Sequence, residues 1–268
     1  MRGVAAACLA IVLVTAPAAR AQSPEGPQDS SSSSDLKFLS GYRARLAASR
    51  LGRNDDKAYA WDARISGDMD LVDYGRGRIN FFGEYEVVLG NELRAFDPNQ
   101  SLYTLDLRAT RRLGRNEFAG LFHHISRHLS DRAKTLSVDW NQIAGELQRT
   151  EPVGRIQLES RIRGAWMIKR TYVDYRWEIA GRLRLRRPMT PRTSLLAEGS
   201  IDIVGIDPAI AGRTRQVGAY LEGGTRLSGA DGSLDLILAF ERRVDADVLA
   251  RGPKSWIMVG FRLLSKER

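Results

Sequence analysis

Between residues 41 and 265 the chain alternates. Stretches of about a dozen residues, in which every second side chain is apolar, are separated by short runs of turn residues. They occupy 41–51, 58–71, 77–89, 101–113, 117–129, 135–149, 154–168, 173–187, 193–205, 215–228, 232–243 and 254–265. In 154–168, Ile156, Leu158, Ile162, Trp166 and Ile168 share one face, while Arg155, Gln157, Glu159, Arg161 and Arg163 take the other. In 173–187, Tyr175, Trp177, Ile179, Leu183 and Leu185 oppose Asp174, Arg176, Glu178, Arg182, Arg184 and Arg186. A period of two is that of a strand with unlike surroundings on its two faces. No long helical period is visible.

A soluble sandwich also alternates, so three further features decide the class. The strands are long enough, at about ten residues or more, to cross an outer membrane when tilted. Their polar faces carry charges of both signs, as a filled barrel interior does. Aromatics recur near strand ends (Tyr42, Tyr59, Trp61, Tyr74, Tyr103, Tyr172, Tyr175, Trp256), where interfacial girdles sit. The prediction is an all-β fold, a single antiparallel transmembrane β-barrel of about twelve strands, within a range of ten to twelve. Short connections at 74–77, 114–116, 188–191 and 228–231 alternate with longer ones at 90–100, 206–213 and 245–253. That asymmetry predicts periplasmic N- and C-termini and longer external loops. Arg155, Glu159, Arg161, Asp174, Arg176, Glu178 and Arg182 are expected to point into the lumen and pair across the seventh and eighth strands.

Residues 1–21 read as a cleaved signal peptide, with Arg2 before the apolar run AAACLAIVLV and a small-x-small site at Ala19-Arg20-Ala21. Residues 22–37 read as a disordered leader rich in Ser, Pro, Gly and Gln, leaving 38–268 for the barrel. These features predict the outer membrane of a Gram-negative-type cell. The one cysteine, Cys8, leaves with the signal, so disulfides and cysteine metal sites are excluded from the mature chain. The formal charge is +9, and removing Arg2 and Arg20 lowers it by two. The basic residues alternate along strands without an aromatic-lined patch, which argues against nucleic acid and for outer-membrane lipids and lipopolysaccharide as partners.

All three histidines fall in Phe118–Asp131, FAGLFHHISRHLSD. On a strand, His124, Ser126 and His128 share a face with Phe118 and Phe122. A His-x-Ser pair on one face offers a base and a nucleophile about 7 Å apart at the backbone. A third group must hold the imidazole, and Asp139, Asn141 and Gln142 of the following segment are candidates, as are His128 and Asp131. By alternation, Leu136, Val138 and Trp140 face lipid, which would turn Asp139 and Asn141 into the lumen unless a β-bulge repairs the register. The remaining cluster, His123, His128 and Asp131, reads as a polar rim. No resident metal is predicted, because i and i+4 on a strand stand roughly 13 Å apart.

His124-Ile-Ser126 followed by Val138-Asp-Trp-Asn141-Gln resembles outer-membrane phospholipase A, a twelve-stranded barrel with His-x-Ser on one strand and a Trp-Asn pair on the next. The resemblance implies His124 as base, Ser126 as nucleophile, Asn141 as orienting amide, calcium, and a homodimer. Lipid A deacylases similarly carry His-x-Ser with a downstream Glu, here at best Glu146. The string His124-Ile-Ser-Arg-His-Leu-Ser-Asp131 also resembles uncharacterised barrels with His-x-Ser-x-His-Leu-Gly-Asp. The sequence favours a structural or envelope-interaction role. A lipid ester hydrolase, of phospholipase A or lipid A deacylase type, is the alternative, and a narrow pore the second alternative.

Overall fold

The computed structural model describes residues 36–52, 56–129, 137–210, 212–247 and 251–266. The expected signal segment, nearly all of the leader, Asp131 and Leu136 lie outside the described residues. The described chain forms β1 (Lys37–Gly52), β2 (Trp61–Asp73), β3 (Arg78–Gly90), β4 (Asp97–Leu113), β5 (Asn116–Leu129), β6 (Val138–Val153), β7 (Ile156–Thr171), β8 (Tyr175–Pro188), β9 (Thr193–Ile206), β10 (Gln216–Ser228), β11 (Gly232–Arg243) and β12 (Lys254–Ser265). Each strand pairs antiparallel with its sequence neighbours, and β1 closes the barrel on β12, with Arg45 opposite Leu264. β1 and β4 begin earlier than alternation predicts. Register shifts at Phe38/Gly41 and Val88/Leu89 break the period there, and Leu39 takes a φ of 49°.

The molecule is apolar outside and ionic inside. Val259 is 62% exposed, whereas Asp235 is fully buried. A charge facing the lipid midplane costs roughly 2–4 kcal/mol, so only the inward face of each strand can carry an ion ladder. Arg243 reaches Asp62 and Glu86 at 2.6 Å each and Glu241 at 2.8 Å. Arg262 joins Glu222 at 2.6 Å and Asp235 at 3.0 Å, and Arg163 joins Glu178 at 2.5 Å. Arg184 and Arg182 both converge on Glu198, at 2.8 and 3.2 Å. The expected pairing across β7 and β8 holds for Arg163 and Glu178. Arg182 instead pairs with Glu198 of β9, Arg161 with Glu146 of β6 and Asp174 with Arg213. Two of the expected inward charges differ in position. Arg155 lies in the β6–β7 turn, and Arg176 is exposed at a bulge between Tyr175 and Trp177.

The two ends of the barrel are unlike. At one end the strands join through short turns, and two of these open on glycines with positive φ, Gly114 at 62° and Gly154 at 60°. L-residues seldom adopt that conformation, and two-residue hairpins favour it. The barrel's first and last strands also begin and end there, since Lys37 pairs with Asp73 and Ser265 with Gly232. At the other end the connections, β7–β8 excepted, are longer, and apolar side chains cluster in the lumen beside ionic ones. One cluster joins Leu51, Tyr59, Val88, Ala246, Trp256 and Met258; another joins Val138, Trp140, Met167, Tyr175, Val204 and Ile206. Tyr59, Tyr175 and Trp256, expected in a lipid-facing girdle, are therefore interior. The β11–β12 connection dips into this end. Asp245 accepts hydrogen bonds from Tyr175 Oη and Arg213 at 2.7 Å each, and its backbone carbonyl accepts one from Arg127 at 2.6 Å. From mid-height towards the turns, an ion-lined cavity of about 650 Å³ remains.

Candidate functional site

The histidine-rich strand β5 is read out on two faces. Phe118, Phe122, His124, Ser126 and His128 point to the membrane side, and Phe118 and Phe122 are exposed. Leu121 and His123 point inward and are buried. His123 Nδ1 is hydrogen-bonded to Asp106. Nearby in the lumen, Arg108 lies between Asp106 and Glu146, at 3.8 and 3.4 Å. Glu146 is thus engaged in the lumen by Arg108 and Arg161, away from the outward histidines. Asp131 lies outside the described residues.

The pairing with β6 sets His124 opposite Asn141 and Ser126 opposite Asp139. Residues directly opposite in an antiparallel pair share a face, so Asn141 and Asp139 are on the membrane side. The facing expected from alternation was reversed. Val138 and Trp140 are apolar because they enter the interior cluster at the loop end, where they are 4% and 5% exposed. Where apolar side chains cluster inside the barrel, apolar does not mean lipid-facing.

With that facing, His124 and Asn141 meet: Nδ1 of His124 lies 2.6 Å from Oδ1 of Asn141. An amide oxygen only accepts, so Nδ1 carries the proton and donates it. The other ring nitrogen, Nε2, is then an acceptor in the neutral ring, which is the tautomer a general base needs. Ser126 Oγ lies 3.0 Å from Nε2 of His128, so the serine is bonded to the histidine after it rather than the one before it. His128 stands edge-on to Tyr103, with ring centroids 5.3 Å apart, and Tyr103 packs against Tyr85 at 4.9 Å. Tyr103 is the residue opposite Ser126 on β4. The hydroxyl therefore lies against the His128 imidazole and beside an aromatic pair, on the membrane face near the loop end. Asp139 accepts a hydrogen bond from Ser137 Oγ at 2.8 Å.

On the far side of Asn141, β7 places Lys169 opposite it and Thr171 opposite Asp139. Strict alternation would have put Lys169 in the lumen. A register shift at Asn141/Gln142 leaves Ile168 as an extra residue, 52% exposed, and brings Lys169 to the outer face. Nothing in the sequence marks that bulge. Among the described residues, no group of His, Cys, Asp or Glu is assembled that could hold a metal ion.

No protein-family model and no curated protein sequence matches the chain. Solved structures do. The outer membrane phospholipase A from Escherichia coli superposes with a TM-score of 0.53 at 11% identity, covering 82% of this chain and 92% of that one. The Salmonella typhi outer membrane phospholipase dimer with bound calcium gives 0.53 at 12% identity, covering 82% and 90%. An outer membrane channel from Pseudomonas putida F1 gives 0.50 at 11% identity, covering 89% and 99%. A phospholipase and a channel thus share this architecture, and function has to be argued from the site. The chain has the fold of the outer-membrane β-barrels.

Proposed function

We propose that this protein is a lipid ester hydrolase of the outer membrane, with Ser126 as nucleophile. The observation that carries the reading is the His124–Asn141 hydrogen bond on the membrane face, on the same strand side as Ser126. A purely structural rim needs no imidazole held in the base tautomer beside a hydroxyl. The turn end, with both termini, is taken as periplasmic, which puts the site near the outer rim where lipid esters lie.

In the reaction, Ser126 rotates from His128 towards His124. Its oxygen attacks the ester carbonyl carbon while His124 Nε2 takes the hydroxyl proton. Asn141 holds Nδ1–H and steadies the ring as it becomes charged. The imidazolium returns the proton to the departing alkoxide as the carbon–oxygen bond breaks, leaving an acyl ester on Ser126. Water, deprotonated by the same nitrogen, then releases the fatty acid and restores the hydroxyl.

The resemblance to phospholipase A implies calcium, which takes about six to eight oxygen ligands. Asp139 is the carboxylate set opposite Ser126, and it already takes the Ser137 hydroxyl. Among the described residues no group of three His, Cys, Asp or Glu side chains forms around it. The steps proposed above use the chain's own residues and run through no metal. The apolar clusters that narrow the loop end weigh against the pore reading. The test is hydrolysis of phospholipid and of lipid A by the refolded barrel. Turnover abolished by Ser126→Ala supports the proposal; no turnover of either lipid overturns it.

A further inference from the structure

We propose that Lys169 is the phosphate-recognising residue of the site, so that the lipid it takes is one whose ester lies close to a phosphate. This rests on the hydrolase reading above.

Three observations converge. The first is the bulge on β7. Met167 is interior, so alternation assigns Lys169 to the lumen, where arginines and carboxylates are already paired. The extra residue Ile168 reverses that assignment and sets Lys169 opposite Asn141 on the membrane face. Bulges that re-aim a side chain are over-represented next to active sites.

The second is position. His124, Asn141 and Lys169 occupy consecutive places across three strands. Strands stand about 4.8 Å apart, so the Lys169 backbone lies roughly 10 Å from that of His124. A four-carbon stem ending in an ammonium spans much of that gap, as the few bonds between a glycerolipid ester and its phosphate also do.

The third is what the lysine does otherwise. Its neighbour Arg170 is engaged by Asp207 and by the carbonyls of Asp174 and Tyr175. Lys169 is exposed and has no such partner among the described residues. A second bulge, at Tyr175/Trp177, brings Arg176 to the same outer side, 5.9 Å over the Trp166 ring. Two strands thus break their period at the same height, and each break exposes a cation on the membrane-side face beside the site.

The experiment compares hydrolysis of phosphatidylglycerol with that of a diacylglycerol bearing the same acyl chains, in mixed micelles. Lys169→Gln should lower the kcat/KM preference for the phospholipid on the order of tenfold, and Lys169→Arg should restore most of it. A generic anchoring role would move both substrates together, so an unchanged preference overturns the proposal. A second arm needs no turnover. Native mass spectrometry of the Ser126→Ala barrel counts retained phosphatidylglycerol, lipid A and diacylglycerol, with and without Lys169→Gln. Retention of phosphate-bearing lipid that depends on Lys169 supports the site even if no hydrolysis is found, in which case only the hydrolase reading fails. Whichever of phosphatidylglycerol and lipid A shows the dependence names the source of the phosphate. Hydrolysis with retention indifferent to Lys169 overturns the phosphate site and leaves the hydrolase.

Discussion

His123 and His124 are adjacent in the chain and belong to different chemistries. His123 faces the lumen, is buried, and has a carboxylate partner in Asp106. His124 faces the membrane and has a neutral partner, the Asn141 amide, at 2.6 Å. The difference follows from what each medium tolerates. The lumen is laced with arginine–carboxylate pairs, so another carboxylate finds counter-charge at once. On the membrane face no arginine ladder stands beside His124, and the group that orients its imidazole is a neutral amide, with the carboxylate of Asp139 set one pair nearer the loop end. The same contrast separates interior Arg163, tied to Glu178 at 2.5 Å, from Lys169, which a bulge turns outward.

The sharpest test of this contrast is catalytic. Ser126→Ala and His124→Ala should each reduce lipid hydrolysis by about a thousandfold or more, and the double variant little further, because the two groups act as one unit. His123→Ala should instead alter barrel stability while hydrolysis persists. If His128→Ala abolished turnover and His124→Ala did not, the base would be the histidine that already holds Ser126 in this structure.

Removing a cation from the lumen comes next. Arg243→Ala removes the cation shared by Asp62, Glu86 and Glu241, leaving Arg64 to the first two and stranding Glu241, and should destabilise the barrel by about 3 kcal/mol. Urea titration of the heat-modifiable gel shift in lipid vesicles reads this directly. A loss of under about 1 kcal/mol would show that water already screens the lumen.

A smaller effect sharpens the role of the amide. Asn141→Ala should lower the rate roughly tenfold, the worth of one hydrogen bond at the base, without abolishing it. Asp139→Ala should have the lesser effect of the two, because Asp139 is opposite Ser126 rather than His124. Kinetics of the two variants side by side decide which residue orients the imidazole.

The smallest effect lies outside the membrane. The hydrogen bond from the Lys254 ammonium, at 2.5 Å, holds the Asp56 carboxyl below its usual range. A depressed folded pKa means stability that is fully present above the unfolded value, near pH 4, and is lost as pH falls through the lowered folded value. Asp56 is substantially exposed, so Lys254→Ala should cost under about 1 kcal/mol at neutral pH, and the difference from the parent should shrink in acid. Unfolding midpoints at pH 7 and pH 3 check the sign.

Alternation gave the strands and a count of ten to twelve, and strand length, two-sign polar faces and terminal aromatics pointed to a barrel; the twelfth strand and the closure of β1 on β12 came from the pairing itself. Alternation also determined that Ile162 and Trp166 face out while Arg161 and Arg163 face in, since lipid and ion ladder sort such residues unambiguously. His124, Ser126 and Asn141 were legible as a motif. Which way Asn141 points was not, because Val138 and Trp140 are apolar for the sake of an interior cluster assembled from β6, β7, β8 and β9. The pairing of Ser126 with His128, and the outward turn of Lys169, were decided by rotamer and register. A one-residue shift exchanges the two faces of a strand, and only contact with the neighbouring strands determines where such a shift falls.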